Sequence, residues 1–427
     1  MSFAFSHRRR TSVLGILGVG AALFALASSQ ASAGVTAPPG FTLAPFAAGS
    51  GALNNPDDIV RLDGNIYVAF QNGVGSQGEP GPGGITTSTI VEYSDSGAKL
   101  NEWQPTGRID GMGADPLNHV IYATANEDAS SSFYVVNPYA APASQLRHLT
   151  YNDPTGAISG GTDAVSVDPY GNIYISASNS SAPSSNAVLR AVVDSPSVGE
   201  VTVSKTFADN LGGVSNANNP GSTTTLALTD PDSNTIVPAA SPRFANDFLL
   251  VSQADGQLIF ATLPLGTPTA PSTLTQLTVT AAGATSTTPN PTLDDVRFAR
   301  SDGGVLYVVD QGANAIYKVS GPFQAGQAFA AQPTDPSNPL FQGDVLNVNL
   351  ENGILTPFLS GLNSPKGLLY VSPWDDSALP GPVGPTGPQG APGPQGPTGP
   401  SGDGHHHHHG HHHGGHSTRR KSRKHAA

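Results

Sequence analysis

The sequence has no cysteine, only two methionines and two tryptophans among 427 residues, and a charged fraction of 12%. Without cysteine the protein forms no disulfide bonds, so its stability must come from a large apolar core. Residues 34–376 are numerous enough to build such a core as one large all-β domain or two smaller domains.

The sequence also lacks the short motifs of common active sites. It contains no Gly-x-Ser-x-Gly elbow, no His-Glu-x-x-His pair, no Walker loop and no Rossmann fingerprint. Between residues 34 and 376 the histidines are His119 and His148, and neither has the sequence neighbours of a catalytic histidine. We therefore identify no catalytic residue, and the sequence favours a protein that is not an enzyme.

Long apolar runs are absent after the N-terminus. Arg8–Arg10 precede the uncharged run Val13–Ala27, and Ala31–Ala33 has the A-x-A spacing of a signal-peptidase site. The alternative is an uncleaved anchor, but the run is shorter than the roughly 20 residues that cross a bilayer. We predict a signal peptide over residues 1–33, an extracellular location, and no membrane span in the mature chain.

The net charge of −12 is unevenly distributed along the chain. Residues 34–376 contain 30 acidic and 11 basic side chains, whereas five basic residues lie between Arg419 and Lys424. An acidic body disfavours nucleic acid as a partner and is compatible with cations. The basic end predicts contact with an anionic cell-surface polymer or an extracellular protein, and the alternative is an end that only increases solubility.

A unit of strand, turn and strand recurs along residues 34–376. Alternating or β-branched residues flank Asp-Gly, Gly-Asn or similar turns, which is the pattern of a β-hairpin. The copies lie at 57–69, 111–123, 163–175, 223–251 and 295–309. Further strands often follow each copy, and groups of four strands at a period of roughly 45 to 60 residues indicate propeller blades.

The best-defined copy continues into Leu306–Val319, which resembles the strand–turn–strand signature of NHL and YVTN-type β-propellers. We expect an all-β propeller over residues 34–376, with six blades of four antiparallel strands; seven blades or two packed sandwiches are the alternatives. Phe41–Ala47 is similar to Ile354–Leu359, so the N-terminal strand is expected to complete the last blade and close the ring. The family signature is a packing motif that unrelated functions share.

Aspartates recur at the predicted starts of the inner strands, at Asp58, Asp110, Asp163 and Asp295. Propellers of the gluconolactonase type, which resemble this fold, hold a divalent cation in the central channel with Glu, Asn and Asp. The resemblance implies a metal site near these four aspartates, although no glutamate is found at a comparable place. The alternative is that each carboxylate caps a loop through its own backbone.

A separate candidate is Asp230–Asn234, which has the D-x-D-x-N spacing that begins a calcium loop. The glycine at position 6 and the glutamate at position 12 of such a loop are missing, so calcium binding there is disfavoured.

The C-terminal part of the chain has two segments of low complexity. Glycine recurs at every third position from 381 to 402, so residues 377–404 are predicted to be a collagen-like Gly-X-Y segment. Such a segment forms homotrimers, and the alternative is a polyproline II spacer that remains monomeric.

Residues 405–427 are predicted to be a His-rich, basic, disordered tail. Neutral imidazole is a ligand for Zn²⁺, Ni²⁺ and Cu²⁺, and imidazoles on a flexible tether can converge on one ion. An appended purification tag is the alternative. The predicted metal ligands are His405, His406, His407, His408, His409, His411, His412, His413 and His416.

Taken together, these features favour a secreted, non-enzymatic binding or surface-interaction protein, with a propeller head on a collagen-like stalk. The alternative function is a metal-dependent hydrolase or lactonase of the gluconolactonase-like propeller type, with its site in the central channel. A divalent ion that remains after deletion of the tail would distinguish the second function from the first.

Overall fold

The computed structural model describes residues 34–158, 160–178, 185–193, 199–263, 270–285, 288–334 and 343–375. The regular elements in these ranges are β-strands, apart from two short 3-10 helices at Pro82–Gly84 and Pro142–Ser144. The predicted signal peptide, collagen-like segment and His-rich tail lie outside the described residues. Within the described ranges, no helix has the length and apolarity needed to cross a membrane.

The strands of the N-terminal half are β1 (Thr42–Ala48), β2 (Pro56–Leu62), β3 (Asn65–Phe70), β4 (Thr89–Tyr93), β5 (Lys99–Trp103), β6 (Ile109–Asp115), β7 (Val120–Ala125), β8 (Ser132–Val136), β9 (Leu146–Asn152), β10 (Val165–Val167), β11 (Ile173–Ser176), β12 (Asn186–Val193), β13 (Glu200–Ala208) and β14 (Val214–Asn216). Those of the C-terminal half are β15 (Thr223–Thr224), β16 (Pro231–Ile236), β17 (Phe248–Ser252), β18 (Gln257–Thr262), β19 (Thr273–Thr278), β20 (Thr280–Ala281), β21 (Asp295–Phe298), β22 (Val305–Asp310), β23 (Ala315–Ser320), β24 (Ala328–Gln332), β25 (Asp344–Val348), β26 (Ile354–Leu359) and β27 (Pro365–Val371).

Several of the predicted hairpins are confirmed. The first joins β2 to β3 through Asp63 and Gly64, which have φ angles of 49° and 90°. Both residues of a two-residue type I′ turn need positive φ, and Asp-Gly is a favoured pair for such a turn. The copies at 111–123 and 163–175 likewise form the paired strands β6–β7 and β10–β11. Turn chemistry and alternation were therefore sufficient to locate these strands.

The described strands form five hydrogen-bonded sheets. Two have four strands, in the orders β2-β3-β4-β5 and β1-β23-β22-β27, and the others have five, six and eight strands. The prediction of six separate sheets of four antiparallel strands is therefore wrong. The eight-stranded sheet arises because β13 pairs with β9 in parallel, which joins two groups of four strands at their outer edges.

Six strands follow one another around a central channel, and each contacts the next. They are β2, β6, β10, β16, β21 and β27, and β27 contacts β2 in turn. Apolar clusters fill the spaces between neighbouring sheets: one contains Val60 and Tyr67 of the first sheet together with Ile121 and Tyr134 of the next. Two packed sandwiches would have one such layer each, whereas here the layers continue around the channel. The described part of the chain is therefore an all-β propeller.

The segment from β21 to β27 exchanges strands between two sheets. The predicted hairpin at 295–309 is wrong, because β21 pairs with β24 and β22 pairs with β23 and β27. The chain leaves one sheet after β21, adds the hairpin β22–β23 to the neighbouring sheet, and returns at β24. Alternation specifies each strand but not its partner, and consecutive strands in sequence need not pair.

The N-terminal strand closes the ring, as expected from its sequence. β1 pairs antiparallel with β23, in the same sheet as the C-terminal strand β27. Phe41, just before β1, packs edge-on against Phe323 and Phe358, with ring centroids 4.9 and 5.0 Å apart. The two ends of the described chain thus meet in one sheet, in which β27 is the inner strand and β1 the outer strand.

Candidate functional site

One side chain at the start of each inner strand lines a cavity of about 180 Å³ in the central channel. Each is the second residue of its strand or lies just before the strand begins. We call these six residues the channel ring: Asp57, Asp110, Asp163, Asp232, Asp294 and Lys366. The ring therefore consists of five aspartates and one lysine, and its members follow the order of the inner strands.

Small residues allow the inner strands to approach one another closely at the ring. A Cβ on Gly367 would lie 2.6 Å from the carbonyl oxygen of Asp57, and a Cβ on Gly111 would lie 2.4 Å from the Cα of Ala164. No side chain fits at those separations, so glycine directly after Lys366 and Asp110 permits the close approach. The local sequence thereby brings the carboxylates together.

Two of the four aspartates predicted from the sequence bind backbone groups of the neighbouring inner strand. Asp58 accepts hydrogen bonds from its neighbour Ile59 N–H at 2.7 Å and from Met112 N–H of β6 at 2.5 Å. Asp295 accepts one from Leu368 N–H of β27 at 2.8 Å. Asp58 and Asp295 therefore cap backbone groups, as the alternative interpretation of these aspartates proposes. The N–H groups of Met112 and Leu368, however, belong to the next inner strand and not to the loop of the aspartate itself.

The other two predicted aspartates, Asp110 and Asp163, belong to the channel ring. Asp110 Oδ1 accepts hydrogen bonds from Gln71 Nε2 at 2.7 Å and pairs with Arg108 Nε at 2.9 Å. Asp110 Oδ2 is buried and has no hydrogen-bond partner. Asp163 forms no ion pair or side-chain hydrogen bond with any residue in the described ranges. The structure therefore brings all four predicted aspartates to one cavity but gives them different surroundings.

Three cationic side chains lie among the acids of the cavity. Lys366 Nζ donates to Asp294, Arg108 binds Glu127 at 2.7 Å as well as Asp110, and Arg297 binds Asp295 at 2.6 Å. Against these three cations stand eight carboxylates: Asp57, Asp58, Asp110, Glu127, Asp163, Asp232, Asp294 and Asp295. The cavity is therefore strongly acidic even after its internal ion pairs are formed.

Burial and mutual repulsion raise the pKa of the ring carboxyls and of Asp58 beside them. Desolvation raises the pKa of Asp57 to about 8 and that of Asp58 to about 7, against a usual value of 3.8. Desolvation, followed by the charges of neighbouring acids, raises the pKa of Asp163 well above that value. Burial alone would lower the pKa of Lys366, but the charges of Asp294, Asp57 and Asp232 outweigh it and raise that pKa. Lys366 therefore remains an ammonium.

Amide side chains from the second strands donate to the ring. Gln71 follows β3 and donates to Asp110, Gln311 follows β22 and donates to Asp57 at 3.0 Å, and Gln253 follows β17 and donates to Asp232. These glutamines were not among the sequence-predicted residues. Each of these glutamines directly follows the second strand of a strand–turn–strand unit, and this recurring position is the signal that could have identified them.

Sequence reasoning also missed Glu127, which lies two residues after β7 and lines the cavity. No glutamate stands at the start of an inner strand, yet Glu127 reaches the same cavity from elsewhere. Glu127 follows β7, the second strand of its hairpin. The pattern of acids at the starts of the inner strands therefore does not reveal it.

Asp230–Asn234, where the sequence disfavours a calcium loop, lies mostly within a strand. Residues from Pro231 onward form the inner strand β16, and Asp232 is a member of the channel ring.

His119 lies away from the cavity, on the turn between β6 and β7, where its Nδ1 is 2.7 Å from Asp63 Oδ2. His148 lies on β9, and its ring is tilted by 41° relative to that of Tyr134, with the ring centroids 5.0 Å apart.

A metal centre is not formed by the residues that the structure describes: no group of three or more His, Cys, Asp or Glu side chains in these ranges is arranged to hold an ion. The carboxylates of the ring are spread around the channel, and in the described ranges all of them except Asp163 bind an amide or a cation. The predicted ligands at 405–416 lie outside the described residues.

No model of a known protein family matches the chain, and no curated protein matches its sequence. Among solved structures, a candidate gluconolactonase is similar at 12% identity and a TM-score of 0.42, covering 76% of this chain and 84% of its own. A nidogen/laminin complex is similar at 13% identity and a TM-score of 0.42, covering 74% and 84%. A candidate 6-phosphogluconolactonase from Bacteroides uniformis is similar at 16% identity and a TM-score of 0.41, covering 76% and 90%.

The fold assignment rests on the strand arrangement itself, because likenesses of this strength carry no function with them. The chain is a β-propeller whose channel presents eight carboxylates and three cationic side chains to one cavity.

Proposed function

We propose that this protein is a secreted, non-enzymatic binding protein that takes a positively charged ligand at the acidic channel of its propeller. The observation that carries this proposal is the excess of carboxylates over cations in one cavity. Buried carboxylates without counter-charges repel one another, and a bound cation relieves that repulsion. Because burial raises the pKa of Asp57 to about 8, a bound cation also displaces a proton from this group at neutral pH.

The metal-dependent hydrolase is the alternative, and one observation favours it. Carboxyl groups with pKa values near 7 or 8, such as Asp58 and Asp57, suit general acid–base chemistry at neutral pH. Both oxygens of Asp58, however, accept backbone hydrogen bonds, and Gln311 donates to Asp57. These contacts give the two groups a structural use, so we favour the binding function.

The C-terminal segments extend this proposal to the whole chain. A collagen-like stalk over residues 377–404 would join three propellers, and weak contacts of each would add up to strong attachment. The basic residues near the C-terminus would contact an anionic cell-surface polymer, and the histidines of residues 405–416 would bind Zn²⁺, Ni²⁺ or Cu²⁺.

The binding function is tested by titrating the secreted protein with a panel of small ligands of different charge. The panel contains butylammonium, calcium, a neutral sugar and a sugar-acid lactone, each titrated by calorimetry at low and high salt. We expect heat of binding for one or more cations only, and weaker binding at high salt. Turnover of the lactone that depends on a divalent ion would overturn the proposal in favour of the hydrolase.

The stalk is tested by sedimentation of the secreted protein with and without residues 381–404. We expect the full chain to sediment with three times the mass of one chain, and the shortened chain to sediment as a monomer. Identical monomeric masses for both would contradict the trimer.

A further inference from the structure

We propose that the propellers of three chains contact one another through the end at which the chain leaves the propeller, with Trp374 at the centre of the contact. This inference rests on the stalk trimer proposed above. It specifies the surface by which the heads pack together and the partner that covers this surface, which is another copy of the same chain.

The inner strands give the propeller two different ends. The channel ring lies where these strands begin, and Lys366 is its member on β27. β27 continues for five residues after Lys366, to Val371, so at about 3.3 Å per residue it ends roughly 16 Å from the ring. The last described residue, Asp375, comes shortly after that strand. We call the end of the propeller at which the inner strands end the exit face.

The exit face carries the most exposed large apolar side chains of the described residues. Leu117 follows β6, Tyr170 follows β10 and Trp374 follows β27, and all three strands are inner strands. Tyr139 lies at the same face, because its hydroxyl donates at 2.9 Å to Asp63 in the turn after β2. These four residues are 56 to 68% exposed, and the other large apolar residues that are exposed in the described ranges are 38 to 53% exposed. Such a concentration on one face indicates an interaction surface.

Trp374 is held in an ordered turn although it is 68% exposed. Its backbone N–H donates to Ser372 Oγ at 3.3 Å. The carboxylate of Asp375 accepts hydrogen bonds from the Ser372 N–H at 2.8 Å and from Arg300 at 2.6 Å. The turn therefore presents the indole ring to solvent from a fixed backbone. Tryptophan is enriched among the residues that contribute most to protein interfaces, because its ring buries a large area at a low cost in entropy.

The acids of the exit face are paired, which permits contact between copies of the same charge. Residues 34–376 contain 30 acidic and 11 basic side chains, so two copies repel each other over most of their surface. On the exit face, Asp375 is paired with Arg300, and Asp63 lies 2.7 Å from His119 Nδ1. Two copies can thus approach here with less repulsion than at the channel ring, where carboxylates outnumber cations.

The sequence beyond the exit face indicates which partner covers it. The described chain ends at Asp375, and the predicted collagen-like segment begins at residue 377. Three chains that join in a triple helix at that point bring three exit faces together at a high effective concentration. The segment has glycine at eight successive third positions, so its triple helix is short and gains from a contact that aligns the chains. Contact at the exit face leaves the channel ring free for ligands.

Quenching of tryptophan fluorescence by acrylamide tests the contact. The chain has two tryptophans, and Trp103 is 6% exposed against 68% for Trp374, so quenching reports mainly on Trp374. The full chain is compared with the chain that lacks residues 381–404, in which all described residues are retained. We expect quenching of the full chain to be at least about threefold weaker, because the core of an interface excludes water. The Trp374→Ser chain supplies the signal of Trp103 alone.

Sedimentation of the full chain at decreasing concentration tests the strength of the contact. We expect the Trp374→Ser trimer to dissociate at a concentration at least about tenfold higher than the wild type, and Tyr139→Ser to have a smaller effect in the same direction. Leu211→Ser is the matched control. Leu211 is 38% exposed and follows β13, which ends beside the start of β12 at the end of the propeller where the inner strands begin. We expect that change to leave dissociation unaltered.

The outcomes separate this inference from the stalk trimer. If the full chain sediments as a monomer, the stalk trimer fails and this inference fails with it. If the full chain is a trimer but acrylamide quenches it as strongly as the shortened chain, the trimer stands and the contact at the exit face is wrong. The contact is also wrong if Trp374→Ser dissociates like the wild type or like Leu211→Ser. Circular dichroism checks folding, and should Trp374→Ser not fold, the quenching of the two chains with native Trp374 decides.

Discussion

The carboxylate of Asp58 accepts a hydrogen bond from the backbone N–H of Met112, on the neighbouring inner strand, at 2.5 Å. Asp295 has the same relation to Leu368, at 2.8 Å. In both cases an acid one residue after a ring position ties its strand to the next strand around the channel. These two acids hold the ring in place, while the ring members beside them face the cavity.

Replacement of Asp58 by alanine is expected to destabilise the protein. The change leaves the backbone N–H groups of Ile59 and Met112 buried without acceptors, and the free energy of unfolding should fall by at least about 2 kcal/mol. Asp58→Asn keeps one acceptor and should cost less. Urea denaturation of both variants measures this, with the exposed Asp95→Ala as the control. Equal stability of Asp58→Ala and Asp95→Ala would contradict the assigned role.

Stability is expected to fall as the pH rises. The pKa of Asp57 is about 8 in the folded protein and 3.8 without burial, so between these values the folded state binds a proton that the unfolded state has lost. The free energy of unfolding therefore decreases with pH across that range. Melting temperatures at about pH 5 and about pH 8 measure the decrease.

The same reasoning applies to Asp163, whose pKa burial and neighbouring acids raise. Asp163→Asn removes one such group and should make the melting temperature less dependent on pH, with a gain in stability at the higher pH. The exposed Asp95→Asn should leave the pH dependence unchanged. A wild-type protein that becomes more stable between these pH values would show that the carboxyls are not protonated in the folded state.

Loss of the ring lysine is expected to be severe. Lys366→Met leaves Asp294 and its neighbours without their cation, and the cost should be about 3 to 5 kcal/mol at neutral pH. A second change, Asp294→Asn, removes the uncompensated acid and should restore a large part of the loss. Thermal unfolding of both variants measures this.

The matched control is Lys99→Met, because Lys99 pairs with Glu102 at the surface and its side chain is 45% exposed. We expect that change to cost less than about 1 kcal/mol. If Lys366→Met proves as mild as Lys99→Met, the ring does not depend on its lysine.

Close approach of the inner strands is tested at Gly367. In Gly367→Ala the added Cβ meets the Asp57 carbonyl oxygen at 2.6 Å and the Asp58 Cα at 2.9 Å, so β27 must move away from β2. We expect a loss of about 1 to 3 kcal/mol in the free energy of unfolding. Gly212→Ala is the control, since its Cβ would come no nearer than 3.6 Å to another atom, at Thr225. Unfolding of the two variants at the same midpoint would contradict this packing.

Much of the fold follows from the sequence alone. Asp63-Gly64 and similar turns locate the hairpins, because only a few residue types adopt positive φ at low cost. The likeness between Phe41–Ala47 and Ile354–Leu359 predicted that the N-terminal strand closes the ring, and β1 does pair with β23. The recurring aspartates at the starts of inner strands also predicted where the acidic cavity lies.

The partner of each strand was decided only by the tertiary structure. Residues 295–309 have the pattern of a hairpin, yet β21 pairs with β24 and β22 with β27. Alternation of side chains reports which face of a strand is buried, and several neighbouring strands can satisfy the same pattern. The count of sheets was wrong for the same reason.

The roles of the acids likewise depended on tertiary contacts. Asp57 and Asp58 are adjacent in sequence and identical in chemistry, but only Asp58 meets the backbone of the next inner strand. Glu127 reaches the cavity from a second strand, and Lys366 on β27 meets Asp294, which lies just before β21. The sequence determined which residues carry charge and which segments form β-strands. The structure determined which charges meet, because hydrogen bonds and Coulomb interactions depend on distances that spacing along the chain does not specify.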